Sequence, residues 1–455
     1  MQVEVISTEE LGDRSYVVHD GSSALVIDPQ RDIDRVEALI ERLGVTVEIV
    51  CETHIHNDYV TGGYELARRA GARYLVNAED EVSFDRVPVS DGSAQQAGRL
   101  TVTAVATPGH TYSHLSFVVT DSGEPHEPPA VFTGGSLLFG SVGRTDLLGT
   151  DKTDDLTHKQ FHSAHRLAEM LPDDAPVFPT HGFGSFCSSG SAAGGDSSTI
   201  GTEKSRNDAL TIENEDAFVD RLIANLTAYP AYHAHMAPLN LAGPDVPEFT
   251  EPHQVDPAEL AKRVADGEWV VDLRDRVAYA ADHLHGTVSI ALGAQFATYL
   301  GWLAPWGEAL TLIGESPEQI TEAQRHLVRI GVDQLAGAAT GTLESIGGEQ
   351  AHGAYPRVDF ADVARDAQAP GDVVLDVRRD DERAKGYIVD STHIPLSDLV
   401  RRLDDLPDGR LWVHCASGFR ASIGASLLER AGRDVIYIDD DYGNAEKAGL
   451  MTVES

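Results

Sequence analysis

Apolar runs rich in β-branched residues alternate with amphipathic segments along the first part of the chain. Short runs of this kind predict strands, and apolar residues that recur every three or four positions predict helices. The predicted strands are Ala24–Ile27, Val45–Cys51, Leu100–Ala106, Leu115–Val119 and Val131–Thr133. The predicted helices are Ile33–Leu43, Gly63–Ala70 and Thr157–Leu171. The short spacing of the strands is more typical of a meander than of a doubly wound sheet.

The middle of the chain is predicted to consist of connections around one helix. Residues 188–198 are rich in Gly and Ser, which predicts a mobile loop. Asp216–Ala228 has the period of an amphipathic helix, and residues 247–252 have the composition of a linker. The first domain is therefore predicted to end at residue 247 with a helical extension.

Two stretches beyond this linker share one pattern, which predicts a diverged internal repeat. Trp269–Arg274 and Val373–Arg378 are apolar strands that end in Asp-x-Arg, and each precedes a second apolar strand, a short loop and a helix. The second strands are Leu310–Ile313 and Leu411–His414. Strand–helix alternation predicts a parallel sheet. We expect an α/β multidomain protein whose domains span residues 1–247, 254–345 and 355–455.

Composition narrows the classes of partner. The 455 residues carry a formal net charge of −38, whereas nucleic acids and anionic membranes require a basic surface. No apolar run is long enough to span a bilayer, and the N-terminus lacks the pattern of a secretory signal. Three cysteines in so long a chain favour a reducing compartment over a disulfide framework. We expect a cytoplasmic protein with a solvated acidic surface, of the kind adapted to salt.

A cluster of metal-binding side chains follows the predicted strand Val45–Cys51. Side chains two apart in an extended backbone point the same way, so His54 and His56 can converge on one cation, with Asp58 along the same side. Two histidines and a carboxylate at this spacing suit zinc or iron. The alternative is a polar loop with two incidental histidines.

Three further segments place polar residues where predicted strands end, at residues 107–110, 131–146 and 179–182. They contain Thr-Pro-Gly-His, Phe-Thr-Gly-Gly with a later Gly-Arg-Thr-Asp, and Pro-Thr-His-Gly. With the first cluster, and in this order, they resemble the metallo-β-lactamase superfamily, most closely its glyoxalase II and persulfide dioxygenase branches. The resemblance covers about the first 245 residues, and it implies an αββα sandwich that holds a metal.

Two departures from the family pattern change the site that the resemblance implies. The first cluster of the family usually ends in histidine, where this chain has Tyr59, and the usual ligand Asp is Gly135 here. Without these two ligands a second metal is not expected to bind tightly. What remains is a mononuclear site for one iron or zinc ion.

The resemblance assigns the remaining polar residues to this reduced site. The implied metal ligands are His54, His56 and His110. The candidates for an additional metal or substrate site are Asp58, His181, Tyr59 and Asp146. The alternative is a metal-free protein that keeps only the fold.

A second candidate site lies where the predicted strand Leu411–His414 ends and a helix follows. A thiol at Cys415 faces backbone N–H groups and a helix N-terminus, which favour the thiolate, and Arg420 adds a nearby cation. Four residues separate Cys415 from Arg420, whereas cysteine phosphatases have five. The smaller loop resembles the rhodanese family, in which the cysteine carries a sulfane sulfur. This resemblance spans residues 355–450 and implies that Cys415 and Arg420 are catalytic; the alternative is a buried structural cysteine.

The first repeat also resembles a rhodanese, over residues 254–343. Its corresponding loop at residues 313–317 contains no cysteine, so it cannot carry sulfur. We interpret it as a structural or docking domain.

Together these resemblances imply a fused sulfur-metabolism enzyme. The first domain would act like a persulfide dioxygenase on the persulfide of a low-molecular-weight thiol, and Cys415 would exchange sulfane sulfur with that substrate or with thiosulfate. The alternatives are a glyoxalase II-like thioester hydrolase and a non-catalytic sulfur-relay or binding protein. No nucleic acid or membrane partner is expected, and the family resemblance makes a homo-oligomer plausible.

Overall fold

The computed structural model describes residues 1–190, 195–245, 247, 249–367 and 371–453. The chain divides into two compact units, Met1–Glu248 with Leu327–Gly331 and Phe249–His326 with Val332–Ser455. Among the described residues, no helix has both the length and the apolar character that crossing a membrane requires.

The first unit consists of two sheets with helices. Its strands β1 to β12 are Gln2–Thr8, Asp13–His19, Ser23–Ile27, Thr46–Cys51, Arg73–Asn77, Val87–Val89, Ala94–Ala97, Leu100–Ala106, Leu115–Asp121, Ala130–Gly134, Pro176–Pro179 and Ser198–Thr199. Its helices α1 to α7 are Asp34–Leu43, Gly63–Ala70, Thr153–Met170, Ile200–Arg206, Asp208–Thr211, Glu215–Ala224 and His233–Ala242.

Each of the two sheets has six strands, in the orders β1-β2-β3-β4-β5-β6 and β12-β11-β10-β9-β8-β7. The predicted meander accounts for the antiparallel strands β1 to β3 and β7 to β10. Strands β3 to β6 run parallel instead, because α1 and α2 cross over between strands of the first sheet.

The two sheets pack face to face because their strands bury residues on both sides. Tyr16 and Val18 of β2 share one apolar cluster with Phe117 and Phe132 of the other sheet. Val17, between them, joins a second cluster with residues of α1 and α2, and a third cluster packs the second sheet against α3 and α6. Each fully buried apolar side chain of this size contributes about 1.5–3 kcal/mol. The layer order is helix, sheet, sheet, helix, which confirms the αββα sandwich.

The second unit is built on parallel sheets. From residue 257 on, the helices α8 to α17 are Pro257–Ala265, Arg276–Ala281, Phe296–Leu303, Pro317–Arg329, Leu343–Gly347, Phe360–Asp366, Asp380–Ala384, Leu396–Leu399, Phe419–Arg430 and Asn444–Lys447, with a 3-10 helix at Val400–Asp405. The strands β13 to β25 are Trp269–Asp272, His283–Leu284, Val288–Ser289, Leu310–Gly314, Gly337–Thr340, His352–Gly353, Arg357–Val358, Asp372–Asp376, Tyr387–Ile388, Thr392–His393, Arg410–His414, Val435–Ile438 and Thr452–Val453.

The two larger sheets of this unit share one strand order. The order β15-β13-β16-β17 in the first repeat matches β22-β20-β23-β24 in the second, and all of these pairs are parallel. The matching Asp-x-Arg motifs also fold alike. Arg274 and Arg378 each donate to the carboxylate two residues earlier, and each then reaches a backbone carbonyl eight residues later. The two stretches therefore share their topology, and a rhodanese-like identity for residues 254–345 stays a prediction.

Some predicted boundaries differ from the structure. The helix predicted from Thr157 begins at Thr153. Asp154 and Asp155 lie in its first turn, where their negative charges interact favourably with the positive end of the helix dipole. The helix predicted to reach Ala228 ends at Ala224. Residues 191–194 of the predicted loop and residue 248 of the predicted linker lie outside the described residues. The proposed domain limits at 247, 254, 345 and 355 stay predictions.

The net charge predicts that salt stabilises the fold. Acidic side chains repel one another in the compact state, and salt reduces the range of that repulsion from about 10 Å at 0.1 M to about 3 Å at 1 M. Between these concentrations of NaCl we expect the midpoint of thermal unfolding to rise by at least about 3 °C, the shift that roughly 1 kcal/mol produces in units of this size. KCl at equal concentration should give the same shift. A midpoint that does not rise contradicts the role assigned to the charge of −38.

Candidate metal centre and cysteine loop

Buried histidines meet at the ends of three strands of the first unit. His54 follows β4, His110 follows β8 and His181 follows β11. One ligand atom from each of these three residues lies within 4.8 Å of the other two. The ring centroids are 4.8 Å apart for His54 and His110, 5.3 Å for His54 and His181, and 5.4 Å for His110 and His181. The strands therefore bring three imidazoles to one point.

Hydrogen bonds at Nδ1 fix the direction in which two of these rings present a lone pair. The Thr53 hydroxyl donates its proton to Asp28 Oδ2 at 2.7 Å, so it accepts from Nδ1 of His54 at 2.9 Å. Nδ1 of His110 donates to the carbonyl oxygen of Arg144 at 2.6 Å. Both rings therefore carry their proton on Nδ1 and leave Nε2 bare, which is the arrangement of metal-binding histidines.

The third ring is oriented by carboxylates. Nδ1 of His181 donates to Asp13 Oδ1 at 2.9 Å and lies 3.0 Å from Asp58 Oδ2. Its Nε2 lies 3.4 Å from Nε2 of His54, and Nε2 of His110 has no hydrogen-bond partner among the described residues. An imidazole backed by a carboxylate is a typical zinc ligand. This donor set fits one zinc or iron ion.

Burial and neighbouring charges decide which rings are charged. Burial, together with the surrounding histidines, holds the pKa of His54 well below its ordinary value and lowers the pKa of His110 to about 3. Burial has the same tendency at His181, but the carboxylates of Asp58 and Asp13 hold its pKa well above the ordinary value. The neutral imidazoles of His54 and His110, and the ring of His181 paired with carboxylates, therefore surround the point where a cation would bind.

His56 lies beside this group and faces a different set of partners. Its Nε2 is 3.3 Å from Asp28 Oδ1, 3.2 Å from Glu52 Oε2 and 3.0 Å from the Tyr59 hydroxyl. Burial opposes a charge on this ring, but Asp28 and Glu52 raise its pKa to about 9. Strand alternation does not apply here, because β4 ends at Cys51 and the following residues form bends. The rings of His56 and His54 are only 4.1 Å apart, but His181, rather than His56, forms the group of ligand atoms with His54 and His110.

The two departures from the family pattern have clear structural consequences. Burial raises the pKa of Tyr59 well above its ordinary value, so its phenol stays neutral and is a poor metal ligand. A Cβ at Gly135 would lie 2.4 Å from Cδ2 of His110, so a carboxylate there would displace that ring. The backbone N–H of Gly135 instead donates to Nε2 of His114 at 3.0 Å. The packing around position 135 therefore accommodates a glycine and no larger side chain.

The other predicted site residues have defined partners. Burial opposes ionisation of Asp58, but His181 holds its pKa far below the ordinary value. Both oxygens of Asp146 bind Arg144 at 2.7 Å, so that carboxylate neutralises a buried guanidinium. His56, Asp58 and His181 form a second group of ligand atoms within 4.8 Å. Asp146 belongs to neither of these groups.

Sequence reasoning missed several residues that support the site. Asp13, Asp28, Glu52 and His114 are all buried and all contact the predicted ligands or their neighbours. Asp28 and Glu52 carried a signal, because each is an acid directly after an apolar strand of the first unit. Asp13 carried none, because it contacts His181 from another strand far away in the sequence.

The cysteine loop adopts the predicted strand–loop–helix form. β23 ends at His414, Cys415 is buried, and α16 begins at Phe419. Gly418 has φ of 89°, and a Cβ there would lie 2.2 Å from Asp439 Oδ1. Glycine is thus required both by the left-handed backbone and by the close approach of a carboxylate.

Arg420 is held by an acid of the same domain. Its two terminal nitrogens donate to the two oxygens of Glu382 at 2.5 and 2.7 Å, a bidentate pair. Arg420 therefore lies at the loop with its charge already compensated. The other cysteines, Cys51 and Cys187, are buried in the first unit, and burial raises the pKa of both thiols well above the ordinary value.

Comparison with known proteins identifies a family for each of two parts of the chain. The sequence pattern of the Metallo-beta-lactamase superfamily matches residues 11–181, and that of the Rhodanese-like domain matches residues 360–447. The mitochondrial persulfide dioxygenase ETHE1 of Homo sapiens is 30% identical over 219 residues, which cover 48% of this chain and 75% of that protein. A hydroxyacylglutathione hydrolase of Acidiphilium cryptum is 33% identical over 160 residues, which cover 34% of this chain and 59% of that protein.

A solved structure extends the similarity beyond the first unit. The crystal structure of a metallo-beta-lactamase from Staphylococcus aureus subsp. aureus COL is 28% identical, with a TM-score of 0.67. The alignment covers 75% of this chain and 99% of that one. The chain therefore belongs to the metallo-beta-lactamase superfamily, with the persulfide dioxygenases among its homologues, and carries a rhodanese-like domain at residues 360–447.

Proposed function

We propose that this protein is a sulfur-metabolism enzyme that acts on the persulfide of a low-molecular-weight thiol. In this proposal the first unit oxidises the persulfide sulfur at one metal ion, and Cys415 carries sulfane sulfur. The human relative is named a persulfide dioxygenase, and a rhodanese-like domain on the same chain is consistent with the same chemistry. Covalent linkage of two sulfur-handling sites raises their effective concentration for each other.

The observation that carries the proposal is the convergence of three imidazoles whose hydrogen bonds at Nδ1 direct Nε2 towards one point. We propose that His54, His110 and His181 hold the ion, whereas the sequence alone suggested His56 as the third ligand. Three protein ligands leave coordination positions open for substrate, and an iron ion bound in this way supplies the reactivity towards oxygen that persulfide oxidation requires.

The residues around the three histidines keep the site rigid and dry. Thr53, Asp13 and the Arg144 carbonyl hold the rings through Nδ1, and the side chains of all three histidines are buried. Partners of this kind are worth 10–100-fold in metal affinity in other proteins. In this proposal they orient the ligands, and the protein needs little reorganisation when a substrate binds.

Thioester hydrolysis of the glyoxalase II kind is the second candidate. The similarity to a hydroxyacylglutathione hydrolase favours it. The neutral phenol of Tyr59 and the glycine at position 135 argue against it, because a binuclear hydrolase needs two more ligands at these positions. A sulfur-relay protein without metal chemistry is the third candidate, and the metal content of the purified protein separates it from the other two.

In the rhodanese-like domain, the Cys415 thiolate would attack the outer sulfur of thiosulfate. A sulfur–sulfur bond forms on Cys415 while the original bond breaks, and sulfite leaves with the electron pair. Cyanide can then take the sulfur from the persulfide, which releases thiocyanate and restores the thiolate. Electrons and charge balance in both steps without a further reactant.

The ligand assignment predicts a contrast between two histidines. Replacing His181→Gln should remove the bound ion, because a ring of the converging set is lost and Gln is a weak ligand for zinc or iron. Replacing His56→Gln should leave close to one ion per chain. Metal content is measured by mass spectrometry after dialysis at equal protein concentration. Loss of the ion in His56→Gln with retention in His181→Gln would instead favour the sequence-derived ligand set.

The proposed reaction predicts oxygen consumption with glutathione persulfide as substrate. The iron-loaded protein should consume oxygen, and His110→Ala should lower the rate by more than roughly 100-fold, since a ligand is worth at least as much as its supporting contacts. Cys415→Ser should keep the rate within about two-fold and is the matched control. Hydrolysis of S-lactoylglutathione without oxygen uptake would contradict the proposal and support the thioester hydrolase.

Cys415 is predicted to be the sulfur carrier. Cys415→Ser should lower cyanide-dependent thiosulfate sulfurtransfer by about 1000-fold or more, because removal of a nucleophile has effects of this size. Cys187→Ser serves as the control and should retain the activity, since Cys187 lies in the first unit. Retained activity in Cys415→Ser would refute the carrier role.

A further inference from the structure

A second group of metal-binding side chains lies between two helices on the surface of the first unit. His158 and His162 are four residues apart in α3, so both project from the same face of that helix. Nδ1 of His158 lies 2.6 Å from Oε1 of Glu215, and Nε2 of His162 lies 3.0 Å from the same oxygen. Glu215 is the first residue of α6. Two imidazoles and one carboxylate from two helices therefore meet at one atom.

The helices that carry these side chains are held in place by packing beneath the group. The rings of Phe161 in α3 and Phe218 in α6 lie 5.4 Å apart and belong to one apolar cluster. Gln160 and Ser163 of α3 donate to the carbonyl oxygens of residues 135 and 108, beside the candidate metal centre. The exposed group therefore shares a helix with the contacts of the buried centre but uses none of its ligands.

One of the two histidines also has a carboxylate near its other nitrogen. Nε2 of His158 lies 3.8 Å from Oδ2 of Asp154, one turn earlier in α3. Metal-binding histidines typically present their second nitrogen to a carboxylate in this way. The hydrogen bond to Glu215 raises the pKa of His158, and the charges of Asp154 and Asp216 act in the same direction. The group thus lies in a negative field that attracts cations.

We propose that His158, His162 and Glu215 bind a divalent transition-metal ion such as zinc, and that the ion joins α6 to α3. Zinc bonds to imidazole and carboxylate at about 2.0–2.2 Å and takes a fourth ligand such as water. The side chains of His158 and His162 are 35% and 66% exposed, so rotation of the side chains brings their nitrogens to the ion without movement of the helices.

The sequence of the pair indicates binding rather than catalysis. His158-Lys159-Gln160-Phe161-His162 has the spacing of the two zinc ligands in helical H-E-x-x-H motifs. Lys159 stands in place of the glutamate that acts as a base there, and it pairs with Asp155 at 2.9 Å. An exposed site of this kind exchanges its ion with solvent, so dialysis removes that ion and leaves the count at the buried centre unchanged. The inference does not depend on the proposed reactions.

Zinc titration of the metal-free, full-length protein at pH 8 tests the site, with a zinc-binding dye as competitor. The unmodified protein should bind one more zinc ion per chain than His162→Gln, whatever the buried centre binds, because that centre is the same in both proteins. Glu215→Gln should weaken binding of this extra ion at least 10-fold or so, since a ligand is worth about as much as the contacts that support one, or more. His165→Gln is the matched control and should keep the extra ion, because Nδ1 of His165 lies 3.0 Å from the carbonyl oxygen of Phe161 in its own helix.

Thermal unfolding provides a second readout, which ion pairs without a metal would not change. Zinc at about 100 times the dissociation constant of the extra ion should raise the unfolding midpoint of the unmodified protein by about 5 °C more than that of His162→Gln. Each protein is compared with its own metal-free form, so loss of stability from the substitution itself does not enter the difference. Equal zinc stoichiometry in the unmodified protein and His162→Gln, or equal shifts of the midpoint, would overturn the proposal and leave only ion pairs between the two rings and Glu215.

Discussion

The candidate metal centre depends on the buried carboxylate of Asp28. One oxygen accepts from the backbone N–H of Thr53 at 2.7 Å, and the other accepts from the hydroxyls of Thr53 and Thr180. Asp28 follows β3, Thr53 follows β4 and Thr180 follows β11, so one side chain ties together three strand ends from both sheets. Two of these ends continue into His54 and His181. Removing one partner from such a buried charged network typically costs about 3–5 kcal/mol.

Asp28 also has a φ of 51°, which non-glycine residues rarely adopt. The surrounding hydrogen bonds hold the residue in this conformation. Burial disfavours the charged form of Asp28, but His56 and the hydrogen bonds from Thr180 and Thr53 hold its pKa below the ordinary value. The carboxylate therefore stays ionised, and its charge attracts Nε2 of His56, which lies 3.3 Å from Asp28 Oδ1.

Much of the fold could be predicted from local pattern, because its strands are runs of β-branched residues buried on both faces. The predicted strand Leu100–Ala106 agrees with β8, and helix α2 agrees over Gly63–Ala70. The candidate site could be predicted only in part. His110 and His181 were identified by motif order, but the choice between His56 and His181 depends on where β4 ends and on Asp13, a contact between distant segments. Sequence periodicity carries no information on such contacts.

At Tyr59 and Gly135 the site lacks two ligands of the family pattern, yet both positions remain well packed. Tyr59 stacks on His56 with ring centroids 4.3 Å apart, and the backbone at Gly135 takes up the space beside His110. A neutral phenol and a glycine supply no metal ligand at these two positions. The central claim is therefore one ion held by three histidines.

X-ray absorption at the metal edge of the purified protein tests that claim most directly. The account predicts three imidazole rings in the first shell, at about 2.0–2.1 Å if the ion is zinc, with no sulfur ligand. A metal–metal distance of roughly 3.5–4 Å, a sulfur ligand, or fewer than three imidazoles would contradict it.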